Sequence, residues 1–227
     1  MVEGQHVVST LRLVDSLEEQ DVLEAVLEAT KPKVPPECRH LHYLMFSPFR
    51  YGLYPYDSRF RRKGRTPGVF YAAEASETAA AETVWYRMRF FAASPGTPLP
   101  LRAAQYSAIA CAVAAPLAVD LIGGPLAAEA EKWTDPDDYS HCLALADRAR
   151  GAGAEAIRYA SVRHPDALPN VAVLTCRAFA LPEPQKAETW RIALSFGRAV
   201  ALREFPRARV EFLAGPTRLA WGRRAAG

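Results

Sequence analysis

The four cysteines of this chain stand far apart, at 38, 111, 142 and 176, and no CxxC pair occurs. The five histidines, at 6, 40, 42, 141 and 164, complete no zinc-ligand pattern, so no metal site is expected. Thiols spaced in this way are expected to be unpaired and buried, as in a reducing cytosol. Glycine-rich phosphate loops are missing too, because Ile122-Gly123-Gly124-Pro125 is neither a Walker nor a Rossmann pattern. There is no GxSxG turn, no HExxH and no Ser-His-Asp order, which removes the common serine-hydrolase and zinc-peptidase layouts. The longest apolar candidate, Ile109 to Ile122, has 14 residues and contains Pro116 and Asp120, short of the ~18 that mark a membrane span. The opening MVEGQHVVSTLRL lacks the basic start and apolar stretch of a signal peptide. A cytoplasmic protein without a membrane partner is therefore expected.

What remains is globular. Of 227 residues, 50% are hydrophobic and 23% charged, enough for one substantial core. The net charge of +3 is too mild to indicate nucleic-acid binding. It is unevenly spread. Between Arg50 and Arg65 stand Arg50, Arg59, Arg61, Arg62, Lys63 and Arg65 against the single acid Asp57, so this loop is more positive than the whole chain. The stretch from Ser47 to Glu82 joins these arginines to tyrosines and then to carboxylates, a pattern suited to a phosphate-bearing substrate whose other end meets an acid.

Along the chain, Ser16-Leu17-Glu18-Glu19 forms a capping box that opens a helix. Val22, Leu23, Val26 and Leu27 give it an apolar stripe, expected to pack on the main domain as ordinary core, and Pro32, Pro35 and Pro36 end it. His42–Phe46 reads as a strand and Gly68–Ala72 as a short buried one. A helix is expected from Ser76 as N-cap to about Phe91, burying Ala81, Val84, Trp85 and Met88. Tyr106–Val113 alternates as a strand. Asp135-Pro136 opens a helix that runs to Gly151. Strands are expected over Ala156–Ala160 and Asn170–Phe179, and closing strands from Trp190 onward. Strands that follow one another without intervening helices point to an α+β fold with an antiparallel, partly split sheet. The expected organisation is an N-terminal helical arm (1–40), a core (41–185) and C-terminal strands (186–227) that complete the same domain.

Several residues carry two readings. Arg59 can grip phosphate with its planar fork or belong to a solvated basic loop; Phe60 beside it favours burial. Arg61, Arg62, Lys63 and Arg65 are read as solvated, a surface on which an acidic partner could dock. Tyr71 alternates with Phe70, so it either faces a ligand or is a half-buried strand tyrosine. Glu82 falls at the edge of its helix's apolar stripe, as a cleft carboxylate or a surface one. Glu77 lies in the first turn, where an acid complements the helix dipole. Ser161, in Ser161-Val162-Arg163, is a ligand-binding hydroxyl or a structural turn.

Taken in order, these segments resemble the RES family, the toxin halves of RES–Xre toxin–antitoxin pairs. Ser47-Pro48-Phe49-Arg50-Tyr51 and Ser58-Arg59-Phe60 resemble its arginine segment. Ser76-Glu77-Thr78-Ala79-Ala80-Ala81-Glu82 resembles its TALAE helix start, and Tyr159-Ala160-Ser161-Val162-Arg163 its YPSVR segment. The family's Gly-Gly-Arg-Trp-Asn is replaced here by Asp57-Ser58-Arg59-Phe60-Arg61, followed by a longer basic insert. The resemblance implies an ADP-ribosyltransferase-like single domain, with NAD as substrate and inorganic phosphate as an alternative to water. Arg59, Tyr71 and Glu82 would be catalytic. Arg50, Tyr51, Ser161 and Arg163 would bind substrate, and an Xre-like antitoxin would be the protein partner. ADP-ribose transfer to a protein, and a non-catalytic nucleotide-binding role, stay open beside NAD breakdown.

Overall fold

The computed structural model describes residues 1–3, 10 and 13–226. Its longest helix, α3 (Ser76–Ala93), shows how the chain is layered. Ala80, Ala81, Val84 and Trp85 recur at helical spacing and are buried. They pack against Tyr106, Trp190, Ile192 and Phe212 of a large sheet, where full burial of each large ring contributes about 3 kcal/mol. That sheet has the order β1-β3-β7-β8-β9-β10, made of Val2–Glu3, Ala104–Ala110, Lys186–Ser195, Arg198–Arg203, Ala208–Leu213 and Ala220–Ala226. Its strand pairs are antiparallel.

A second sheet has the order β2-β6-β5-β4, from Phe70–Ala73, Pro169–Val173, Ala156–Ala160 and Ala118–Asp120. One face of it joins a core with α5 (Ser140–Gly151), where Ile157, Tyr159 and Ala172 meet Cys142 and Ala146. Phe70, Val171 and Val173 join a different core with α2 (Tyr43–Arg50), which contributes Met45 and Phe49. Helices and two separate sheets together give the α+β class that the strand order suggested.

The structure corrects several local expectations. The second sheet is not wholly antiparallel, since β4 runs parallel to β5, and β4 itself was not foreseen. The segment expected as strand 42–46 is helix α2: Leu41, Met45 and Phe49 are buried at four-residue spacing, and His42 caps the helix by accepting from Leu44 N–H at 3.3 Å. The helix expected from Asp135 starts only at Ser140, as α5, because the Asp135 carboxylate accepts from Asp137 and Asp138 N–H and closes a turn instead; a short helix, α4 (Ala130–Thr134), precedes that turn. The strand from Asn170 ends at Val173 and gives way to a 3-10 turn at Cys176–Ala178, capped by Thr175.

The N-terminal helix, α1 (Leu17–Thr30), is capped at Ser16 as its sequence indicated. Its stripe is not core, however, as Val22, Val26 and Leu27 are exposed. Its end is tied down by charge, through Glu28 to Arg50 at 2.7 Å. The thiol expectation is also corrected. Cys38 and Cys176 form a disulfide that links the segment before α2 to the one after β6, while Cys111 and Cys142 are free. Among the described residues no helix is long and apolar enough to cross a membrane.

Gly68 lets the chain pass α2 on its way into β2. A Cβ at this position would lie 1.6 Å from the Pro48 carbonyl oxygen, a backbone atom that cannot step aside. Gly68→Ala should therefore cost about 3 kcal/mol in urea unfolding. Gly96→Ala, where nothing lies within 4 Å, should stay within about 0.5 kcal/mol. Equal effects at the two positions would refute the close-approach argument.

Candidate active site

Helix α3 has a second face beside its buried stripe. Ala79, Glu82, Thr83 and Tyr86 follow the three- and four-residue spacing of one helix surface, and all four line a cavity of about 560 Å³. A volume of this size suits a small organic ligand. Opposite α3 the cavity is walled by Tyr71, Ala72 and Ala73 of β2, Tyr159 of β5 and Asn170 of β6, with Arg59 and Arg61 from the basic loop and Tyr139 and Arg163 beyond.

Glu82 is held from behind. Its Oε1 accepts from Ser161 Oγ–H at 2.6 Å and from Asn170 Nδ2–H at 2.9 Å. Ser161 is itself buried, and its oxygen accepts from the N–H groups of Arg163 and His164 at 3.2 and 2.9 Å. With both lone pairs and its proton engaged, the hydroxyl has nothing left for a ligand. The Ser161 hydroxyl is thus turned toward Glu82 and its own turn.

Arg59 and Arg163 are 7% and 5% exposed. Arg59 donates to the carbonyls of Trp133 and Asp135, both at 2.8 Å, and lies over the Tyr139 ring at 4.7 Å. Arg163 donates to the carbonyls of Thr217 and Pro136, both at 2.7 Å, and lies over the Trp85 ring at 4.7 Å. Three of these four carbonyls come from the end of α4 and the break that follows it: Trp133 from the last turn of α4, Asp135 and Pro136 from the break. Neither arginine forms a salt bridge among the described residues. A buried cation satisfied only by dipoles and ring faces keeps its positive field, so Arg59 and Arg163 both act on a cavity that Glu82, Asp57 and Arg61 also line.

The Tyr71 hydroxyl shares a hydrogen bond with Ser58 Oγ at 2.8 Å and accepts from Phe60 N–H at 3.1 Å. It therefore pins the loop that delivers Arg59, while Phe60 fills the core edge-on to Tyr159. Desolvation raises the Tyr71 phenol above the usual tyrosine value. Tyr159 is raised well above it by burial and by the charge of Glu82. Tyr86 is pushed up to about 12, first by desolvation against the cavity walls and then by Glu82, although 60% of the residue remains accessible. All three phenols stay protonated at neutral pH and can donate hydrogen bonds.

Two expected residues lie outside the cavity. Arg50 is engaged by Glu28 and by the Pro32 carbonyl, and Tyr51 follows it onto the surface. Glu77, the rival acid, turns toward Arg203 at 3.6 Å. In the basic loop Arg61 lies 3.8 Å over Tyr54 and Arg62 pairs with Asp147, while Lys63 and Arg65 are exposed. No cluster of three or more His, Cys, Asp or Glu suited to a metal occurs among the described residues.

A family model described as RES domain matches residues 34–195. The chain belongs to the RES domain family. The match takes in the cavity wall from Asp57 to Asn170, though not Met1, which also lines it; α1 precedes the match and β8–β10 follow it. No curated protein matches the chain at a significant level. Sequence reasoning missed Tyr86, Tyr139, Tyr159 and Asn170 in this RES domain. Tyr86 had a signal, because it stands four residues after Glu82 and shares its helix face. Asn170 had none, since its partner is 88 residues away.

The Tyr86–Glu82 coupling can be read directly. Phenolate absorbance should show a tyrosine ionising at about 12, and Tyr86→Phe should remove that step. Glu82→Gln should move the midpoint down toward the ordinary value, because the repulsion goes while the desolvation stays. An unmoved midpoint would show that the two groups do not sense each other.

Proposed function

We propose that this RES domain consumes NAD by cleaving the bond between nicotinamide and ribose, as the toxin of a toxin–antitoxin pair. The observation that carries the reading is one carboxylate, held by one oxygen, facing the same cavity as two buried arginines that lack acid partners. A dinucleotide brings a pyrophosphate, which the arginine field favours. It also brings a positively charged nicotinamide ring, which suits a tyrosine-lined wall and a nearby carboxylate.

The chemistry follows from those placements. As the glycosidic C–N bond lengthens, its electron pair passes to the pyridinium nitrogen, nicotinamide leaves neutral, and positive charge grows on the ribosyl carbon. Glu82 stabilises that oxocarbenium-like charge, as carboxylates do in glycoside cleavage. Water, or inorganic phosphate, then bonds to the same carbon. The proton released by water passes to Glu82 or to solvent. Tyr71 keeps the arginine loop in place, and Tyr86 and Tyr159 offer neutral hydroxyls to the ligand. Expression alone would then drain NAD and arrest growth, and an Xre-like antitoxin would restore both.

Glu82→Gln is the informative variant. Its amide oxygen can still accept from Ser161 and Asn170, so the fold is kept while the charge is lost. Purified full-length protein should convert NAD to nicotinamide, with the Gln variant at least about 100-fold slower. A rate that depends on added phosphate would assign phosphorolysis rather than hydrolysis. NAD untouched by the wild type would end the NAD-breakdown reading, and label from NAD appearing on protein would redirect it to ADP-ribose transfer.

A further inference from the structure

Asn170 sits on β6, an inner strand of its sheet, directly opposite Ala73 on one side and Tyr159 on the other. The residue is 2% exposed. Its amide has only one possible orientation toward Glu82, because an ionised carboxylate accepts and never donates; Nδ2 must face Oε1, at 2.9 Å. The other end of the amide gains nothing. Oδ1 is buried and finds no hydrogen-bond partner. A buried acceptor left unmet is unfavourable, so an asparagine serving stability alone would be a poor choice here. Ser161 donates to the same oxygen, Oε1. Among the described residues no donor reaches Oε2.

We infer that Asn170 is a positioning residue: together with Ser161 it clamps Oε1 of Glu82 and so presents Oε2 as the oxygen that faces the substrate. Both donors belong to one hairpin, β5–β6, whose connecting loop is closed by Ser161 N–H donating to the Leu168 carbonyl at 2.9 Å. The helix supplies the acid and the hairpin sets its angle. Two donors on one oxygen stop the carboxylate from turning about its own axis, which one donor would permit. The catalytic part of this inference rests on the reading of Glu82 as the group that stabilises the ribosyl cation.

The test compares full-length wild type, Asn170→Ala and Asn170→Asp by melting temperature, by steady-state kinetics with NAD, and by crystal structure. Asn170→Ala should melt within about 3 °C of wild type. Its kcat should fall about 10- to 100-fold with KM held within about twofold, the signature of lost orientation rather than lost binding. Its Glu82 carboxylate should rotate away from the position seen beside Ser161. Asn170→Asp, which sets an acceptor against an acceptor, should lose at least as much. Should Asn170→Ala fail to fold, Asn170→Ser carries the same readouts. An unchanged kcat, a rise in KM alone, or a Glu82 carboxylate that stays in place without Asn170 would overturn the inference. If the wild type leaves NAD untouched, the reaction reading fails, while the position of Glu82 in the variant crystal still decides the clamp.

Discussion

A guanidinium taken out of water loses several kcal/mol of hydration that its new surroundings must replace. Arg59 and Arg163 are both in that position, and the same short turn meets the need of both. At the end of α4 and in the break before α5, the two arginines take the carbonyls of Trp133, Asp135 and Pro136, and Arg163 adds that of Thr217. The Asp135 carboxylate holds the turn by accepting from Asp138 and Asp137 N–H, and those bonds lower its own proton affinity. Had carboxylates partnered the arginines instead, the charges would have cancelled. Carbonyl dipoles satisfy the hydrogen-bonding fork and leave the net charge to act on the cavity.

The rest of the cavity is arranged around that field. Phe60, buried in the core next to Arg59, anchors the loop from one side, and the Tyr71 hydroxyl holds it from the other by accepting from Phe60 N–H. On the far wall α3 divides its surface into a stripe that packs on the large sheet and a face that carries Glu82 and Tyr86 to the cavity. Burying Trp85 therefore turns the helix face that carries Glu82 toward the cavity, and the Trp85 ring also lies under Arg163. Packing and electrostatics act through the same residues, so a change in one is expected to disturb the other.

Much of this was legible in the residues. The N-cap at Ser16, the stripe through Ala81, Val84 and Trp85, and the alternation of Phe70 with Tyr71 rest on contacts within a few positions, and the structure agrees with each, although Glu19 reaches back to Asp15 N–H rather than to Ser16. Errors arose where one local signal stood for two outcomes. Leu41, Met45 and Phe49 have helical spacing, yet a five-residue window at His42–Phe46 looked like a strand. Asp135-Pro136 carries a helix-start signal, but the carboxylate caps a turn and the helix waits until Ser140. The stripe on α1 was read as core, and nothing in its periodicity reveals that it is exposed.

By itself, the chain determined its elements where local periodicity was unambiguous, the mixed α+β class, the concentration of positive charge between residues 50 and 65, and the family to which it belongs. Only the tertiary structure decided which charges meet. It buried Arg59 and Arg163 on carbonyls supplied by a turn far away in sequence, drew Arg50 to Glu28 instead, and joined Ser161 and Asn170 on one oxygen of Glu82. The reason is physical. Periodicity reports which face of an element avoids water, a property of neighbouring residues. Hydrogen bonds between groups 27 to 88 residues apart depend on how sheets and helices stack, and that information is shared across the whole chain.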